Sequence, residues 1–255
     1  MRKRALDKSD NRTGNIRADG RKRRDLFELS VAYGLILIAL WTPQPWQRWL
    51  SLVALAWVVL ATCYSFDGWK TMGFRAAGFW ASLWVVGVAL VLAAGAVFLA
   101  FQLKTLHAPT PLTLFFRRYW AYTIWSLLQE FLLLNFFLLR LLRLLRGKTM
   151  AAMAATGLFG FAHLPSPILT AVTLIWGYAA CLIFLHYRNI FTPALAHAIF
   201  GISIAITIPG PVDHNMRVGL GFLTYRPPRP VQRSQIDQTV STVAWVMADE
   251  PTRRC

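Results

Sequence analysis

The stretch Trp125-Ser126-Leu127-Leu128-Gln129-Glu130-Phe131-Leu132-Leu133-Leu134-Asn135 sets a single carboxylate in the middle of an apolar run. The run extends from about residue 119 to about residue 139, long enough to cross a bilayer. An ionisable group at that depth costs about 2.5–3.5 kcal/mol on insertion scales, which makes Glu130 a candidate functional residue. Gln129, on a neighbouring face, reads more simply as an interhelical hydrogen-bonding residue.

The rest of the chain has the same character. Of its 255 residues 56% are hydrophobic and only 15% are charged, and the mean hydropathy is +0.45. Soluble domains carry about 25% charged residues. The expected fold is therefore all-α: a polytopic transmembrane helical bundle of about seven spans. The net charge of +16 lies largely in loops and tails. There, Lys and Arg fix orientation and attract anionic lipid head groups, so nucleic acid is not an expected partner. Cys63, Cys181 and Cys255 lie far apart and form neither a disulfide framework nor a zinc-ligand spacing. Cys255 is terminal and does not fit a CaaX signal.

In chain order, residues 1–25 hold ten Lys or Arg and four Asp. This composition predicts a disordered basic segment on the cytoplasmic side, ending in Arg21-Lys22-Arg23-Arg24. A cleaved signal peptide is not expected. Residues 26–211 form the predicted bundle, with apolar runs at about 26–41, 49–66, 76–103, 119–139, 150–163, 168–187 and 192–208. Arg140, Arg143, Arg146 and Lys148 close the fourth run and mark a cytoplasmic end. The fifth run is rich in Ala and Gly and predicts a closely packed inner helix. Residues 212–255 read as a polar, flexible tail with one β-like run at 239–247. Seven spans would put that tail outside, whereas its six arginines favour the cytoplasm, so its side is left open. The expected location is a bacterial cytoplasmic membrane.

His163 and His197 also lie in apolar runs. At ~1.5 Å of rise per residue, Glu130 is ~15 Å in from Arg140, His163 ~22 Å in from Lys148 and His197 ~13 Å in from Arg188. All three fall within a hydrocarbon core of about 30 Å, so three helices could present them to one cavity. Either histidine alone reads equally well as a packing residue. His107, His186 and the Asp213-His214 pair read as connector, interfacial and turn residues.

At these positions the sequence resembles the CPBP family of intramembrane proteases, which includes the type II CAAX prenyl endopeptidases and the Abi proteins. That family's motifs, EExxxR, FxxxH and HxxxN or HxxxD, occur in this order on separate spans. The second is present as Phe159-Gly160-Phe161-Ala162-His163. The third is present in His197, with Gly201 at the amide position, after the lead-in Pro193-Ala194-Leu195-Ala196. The first aligns in two ways. Gln129-Glu130 can stand for the Glu pair with Leu134 for Arg, or Glu130-Phe131 with Asn135 for Arg. The second register keeps the leading carboxylate and is preferred.

The resemblance implies an intramembrane endopeptidase in which Glu130 activates water, His163 holds that water and His197 donates to the developing oxyanion. Gln129, Asn135, Phe159 and Gly201 would line the cavity. The substrate would be a membrane-associated or lipidated peptide cut close to the cytoplasmic face, with no cofactor. Glu130, His163 and His197 are also zinc-ligand types, but without an HExxH-like pair zinc ranks below the metal-free route. Gly201 removes one donor, and such a loss costs about 10²–10³ in rate elsewhere. Two other readings follow: an impaired family member that binds a membrane partner, as an immunity protein would, and a proton-coupled transporter relaying through Glu130 and the histidines.

Overall fold

Three apolar helices, Trp46–Tyr64, Gly78–Gln102 and Pro167–Tyr187, are each long enough to cross a bilayer. A fourth span results if Phe191–Thr207 and Gly210–Met216, bent by 117°, are taken together. The computed structural model describes residues 2–227, with side chains from residue 19 onward apart from Ala77. Every regular element among these residues is helical.

Helix α1 (Arg2–Leu40) leads into α2 (Trp46–Tyr64), which packs along it. It includes residues 2–25, which composition alone assigns to no fixed structure. Helices α3 (Ala76–Ser82) and α4 (Trp84–Gln102) follow almost without interruption. Next comes a long rod: α5 (Leu112–Glu130), a π-helical segment (Phe131–Leu138) and α6 (Leu139–Leu144). Helices α7 (Lys148–Phe161), α8 (Pro167–Tyr187) and α9 (Phe191–Thr207) complete the bundle. All seven expected runs are thus helical. Length and hydropathy single out three or four as spans, because α7 has only 14 residues and α5 carries Arg117 and Arg118.

The outside of the bundle is largely apolar, with Val91 and Ile175 more than 70% exposed, whereas Asp25, Glu28, Glu130 and Arg140 lie buried inside. That inversion suits a lipid solvent, which offers exposed side chains no hydrogen bonds. Helix α7 packs against α8 and the π segment through Ala151, Ala152, Ala155 and Gly160. A β-carbon at Gly160 would run into Leu174, so the small residue there sets the α7–α8 approach. The start of α9 is fixed by Asn189. Its Oδ1 accepts from the Thr192 amide at 3.0 Å and its Nδ2 donates to the Arg75 carbonyl at 3.0 Å. Pro193 sits in the first turn, where its missing N–H is harmless.

At one end of the bundle, Arg140 pairs with Glu28 at 2.7 Å, and Arg143 pairs with Asp25 and Asp67, each at 2.7 Å. Arg140 also donates to the Ser65 hydroxyl and to the Ala61 and Phe136 carbonyls. These contacts bring the basic end of α1, the α2–α3 connector and α6 to the same end. Arg140 is buried, so it works as an interhelical tie as well as an orienting charge.

The described part of the tail, residues 212–227, departs from the flexible segment its composition predicts. Residues 210–223 form two short helices, α10 (Gly210–Asp213) and α11 (Leu220–Leu223), joined through a 3₁₀ turn (His214–Met216). His214 stacks on Phe222 and Tyr225, and the Gly219 amide donates to the Leu164 carbonyl at 2.8 Å. A left-handed glycine is required there, because a β-carbon would strike the Leu40 carbonyl. The β-like run at 239–247 lies outside the described residues.

Removing one member of a buried pair leaves the other charge uncompensated, at a cost of about 3–5 kcal/mol. Arg140→Ala should therefore lower stability by that amount in denaturant titrations in micelles, and Glu28→Leu with Arg140→Met should recover much of it.

Candidate active site

Glu130 is the last residue of α5. It shares a face with Ser126 and Tyr122, four and eight residues earlier, and that face packs on α9. Its side chain is wholly buried. Oε1 accepts two hydrogen bonds, from the Trp176 indole N–H on α8 and from His197 Nδ1 on α9, both at 2.8 Å. Oε2 is equally buried and has no partner among the described residues. The carboxylate therefore joins three helices through one oxygen.

His163 stands just beyond the end of α7. Its Nδ1 lies 2.8 Å from the Phe159 carbonyl, an acceptor, so Nδ1 carries the proton and Nε2 presents a lone pair. Phe159 packs edge-on against both imidazoles, with ring centroids 4.9 Å from His163 and 6.1 Å from His197. One aromatic ring thus sets the position of both histidines. His197 is likewise buried, and its Nδ1–H is committed to Glu130.

A cavity of about 410 Å³ borders Phe159, the two histidines and Trp176, while Glu130 itself lies behind its lining, and its size is within the usual range of small-molecule and cofactor sites. Gln129, Phe159, His163, His197 and Gly201 all line it, together with apolar side chains from α1 and α2 and with Met216 and Val218 from the folded tail. Asn135 lies apart from this lining. It is buried in the π segment, with both side-chain polar atoms unpartnered among the described residues. Among the described residues no three His, Cys, Asp or Glu side chains converge as a metal-binding group.

Two lining residues escaped sequence reading. Trp176 sits mid-span, whereas membrane tryptophans favour the interfaces, and that displacement was the available signal. Tyr122 lies against Gly201, its hydroxyl occupying the place a β-carbon at 201 would take. Only the three-dimensional pairing reveals this contact.

A hydrogen bond to a charged group contributes about 1.5–3 kcal/mol. Trp176→Phe removes the indole N–H with little change in shape, and should lower thermal stability by an amount in that range.

The model of the type II CAAX prenyl endopeptidase Rce1-like family matches residues 111–203, the segment that carries Glu130, His163 and His197. No curated protein and no solved structure matches the chain. With its apolar, outward-facing helices this is an integral membrane protein, and its residues 111–203 are similar to the Rce1-like CAAX protease family.

Proposed function

We propose that this protein is an intramembrane endopeptidase in which Glu130 activates water to hydrolyse a peptide bond of a membrane-anchored, lipidated substrate. The observation that carries this reading is the asymmetry of the Glu130 carboxylate: Oε1 is held by two donors, while buried Oε2 has none among the described residues. The fixed oxygen orients the group, and the other is the base in this reading, set just behind the cavity-lining side chains of Trp176 and His197.

In this mechanism Oε2 takes a proton from water as the water oxygen attacks the scissile carbonyl carbon. The lone pair on His163 Nε2 accepts the second water hydrogen and holds the nucleophile in place. The carbonyl oxygen gains the negative charge. Collapse of the tetrahedral intermediate breaks the C–N bond, and the proton on Glu130 passes to the leaving nitrogen, giving a carboxylate and an amine. No cofactor takes part in this scheme. The apolar lining from α1, α2 and α5 suits a lipid-modified peptide, and scarce water strengthens each polar contact within.

The cavity lining includes Ser51 near the start of α2, Leu40 at the end of α1, and Met216 and Val218. These lie at the end of the bundle away from Arg140 and Arg143. By the positive-inside rule the arginine end and the N-terminus are cytoplasmic, so the cavity is reached from the opposite side or laterally from lipid. On this reading the site opens away from the cytoplasmic face, where the sequence alone suggests cleavage close to it.

In liposomes with a fluorogenic farnesylated CaaX peptide, Glu130→Gln should abolish cleavage, and His163→Ala and His197→Ala should each lower it by at least about 10²-fold. A chelator should leave wild-type turnover unchanged; chelator-sensitive activity would transfer the mechanism to a metal. For orientation, Gln44→Cys in a cysteine-free background should react with an impermeant maleimide in intact cells, and Asp19→Cys should not.

A further inference from the structure

The mechanism needs a donor for the carbonyl oxygen, and the histidines do not readily supply one. His197 gives its Nδ1–H to Glu130, and His163 gives its Nδ1–H to the Phe159 carbonyl. In the neutral form each ring then offers only a lone pair at Nε2. The donor has to come from another side chain on the cavity wall.

Tyr122 meets that need by position. It lies two turns before Glu130 on the same face of α5, and it lines the cavity with Glu130's partners Trp176 and His197. Its hydroxyl rests on the backbone of Gly201, one turn beyond His197 on α9, in the volume that any side chain at 201 would claim. The glycine is therefore a seat for the phenol. A β-carbon there would collide with the hydroxyl and the ring carbons behind it, all parts of a rigid ring that cannot fold aside. The α5–α9 contact fixes an O–H donor beside His197, in a largely apolar pocket where a preorganised donor acts most strongly.

We infer that Tyr122, seated on Gly201, is a catalytic residue whose hydroxyl donates a hydrogen bond to the scissile carbonyl oxygen as negative charge develops on it. The inference rests on the endopeptidase reading above. It also replaces the expectation that Gly201 leaves the site short of a donor, because the donor now comes from α5.

The test uses the full-length protein in liposomes and the same farnesylated peptide. Tyr122→Phe keeps the ring and removes only the O–H. It should lower kcat by about 10²–10³-fold while KM and the melting temperature stay near wild type. Gly201→Ala displaces the ring and should lower kcat to a similar degree. In a Tyr122→Ala background, which opens the space, Gly201→Asn should raise kcat above that of Tyr122→Ala alone by restoring a donor from α9. A purely structural tyrosine would instead give a Tyr122→Phe variant with kcat within threefold of wild type, and that result overturns the assignment. Glu130→Gln run in parallel separates the two claims. If it is inactive while Tyr122→Phe is fully active, only the role of Tyr122 fails. If wild type does not cut the peptide, or if Glu130→Gln still cuts it, the endopeptidase reading fails and the inference falls with it.

Discussion

The three-way hydrogen bond at Glu130 Oε1 is the constraint on which the interior depends. A carboxylate with no exposure in a lipid-facing bundle is tolerated only where donors reach it. Trp176 and His197 supply these from α8 and α9, so satisfying the acid and assembling three helices are one event. The same contact defines the cavity. It turns the imidazole and indole inward, and Phe159, wedged between the histidines, carries that alignment to α7. A substitution anywhere in this group therefore acts on both stability and site geometry.

The π segment directly after Glu130 is a second consequence of the same demand. An α-helix advances 100° per residue, and a wider turn shifts the faces that follow. Before the change, α5 presents Tyr122, Ser126 and Glu130 to α9. After it, Leu133, Leu134, Phe136, Phe137 and Leu138 are all buried in the main core. Arg140 then arrives where Glu28 and Ser65 can receive it. One rod thus serves the site, the core and the ion-paired end in turn. Wide-turn segments often occur at functional sites, and here the reason is a change of packing partner directly after the carboxylate.

Much of this was legible in the sequence, for reasons that differ by residue. The helical runs and the buried Glu130 could be read because hydropathy and charge are local properties, and the order of the motifs brought Glu130 and His197 into one site. Trp176 and Tyr122 were not legible, because their roles depend on which helix faces which: an indole is apolar in every scale until its N–H meets a carboxylate. The folded tail was missed for a related reason. His214, Phe222 and Tyr225 look scattered in a polar segment, and they form a stack only once Gly219 takes its left-handed turn against Leu40 and Leu164. In the sequence the arginines read as topology signals, a surface property, and the acids that pair with Arg140 and Arg143 lie 76 to 118 residues away.

The distribution of charge explains how a strained site is held in place. Glu130 Oε2 and Asn135 keep polar atoms buried without partners among the described residues, and each such atom is a standing cost. At the opposite end, Glu28–Arg140 and Asp25–Arg143–Asp67 tie α1, α6 and the α2–α3 connector together with charge-assisted bonds. The rod that carries Glu130 is gripped at that end, beyond the π segment, and by α9 along its other half. The carboxylate therefore sits between two fixed regions, close to the segment least able to hold itself. Its position is set by the clamps on either side, which is how a buried acid can keep one oxygen without a partner among the described residues.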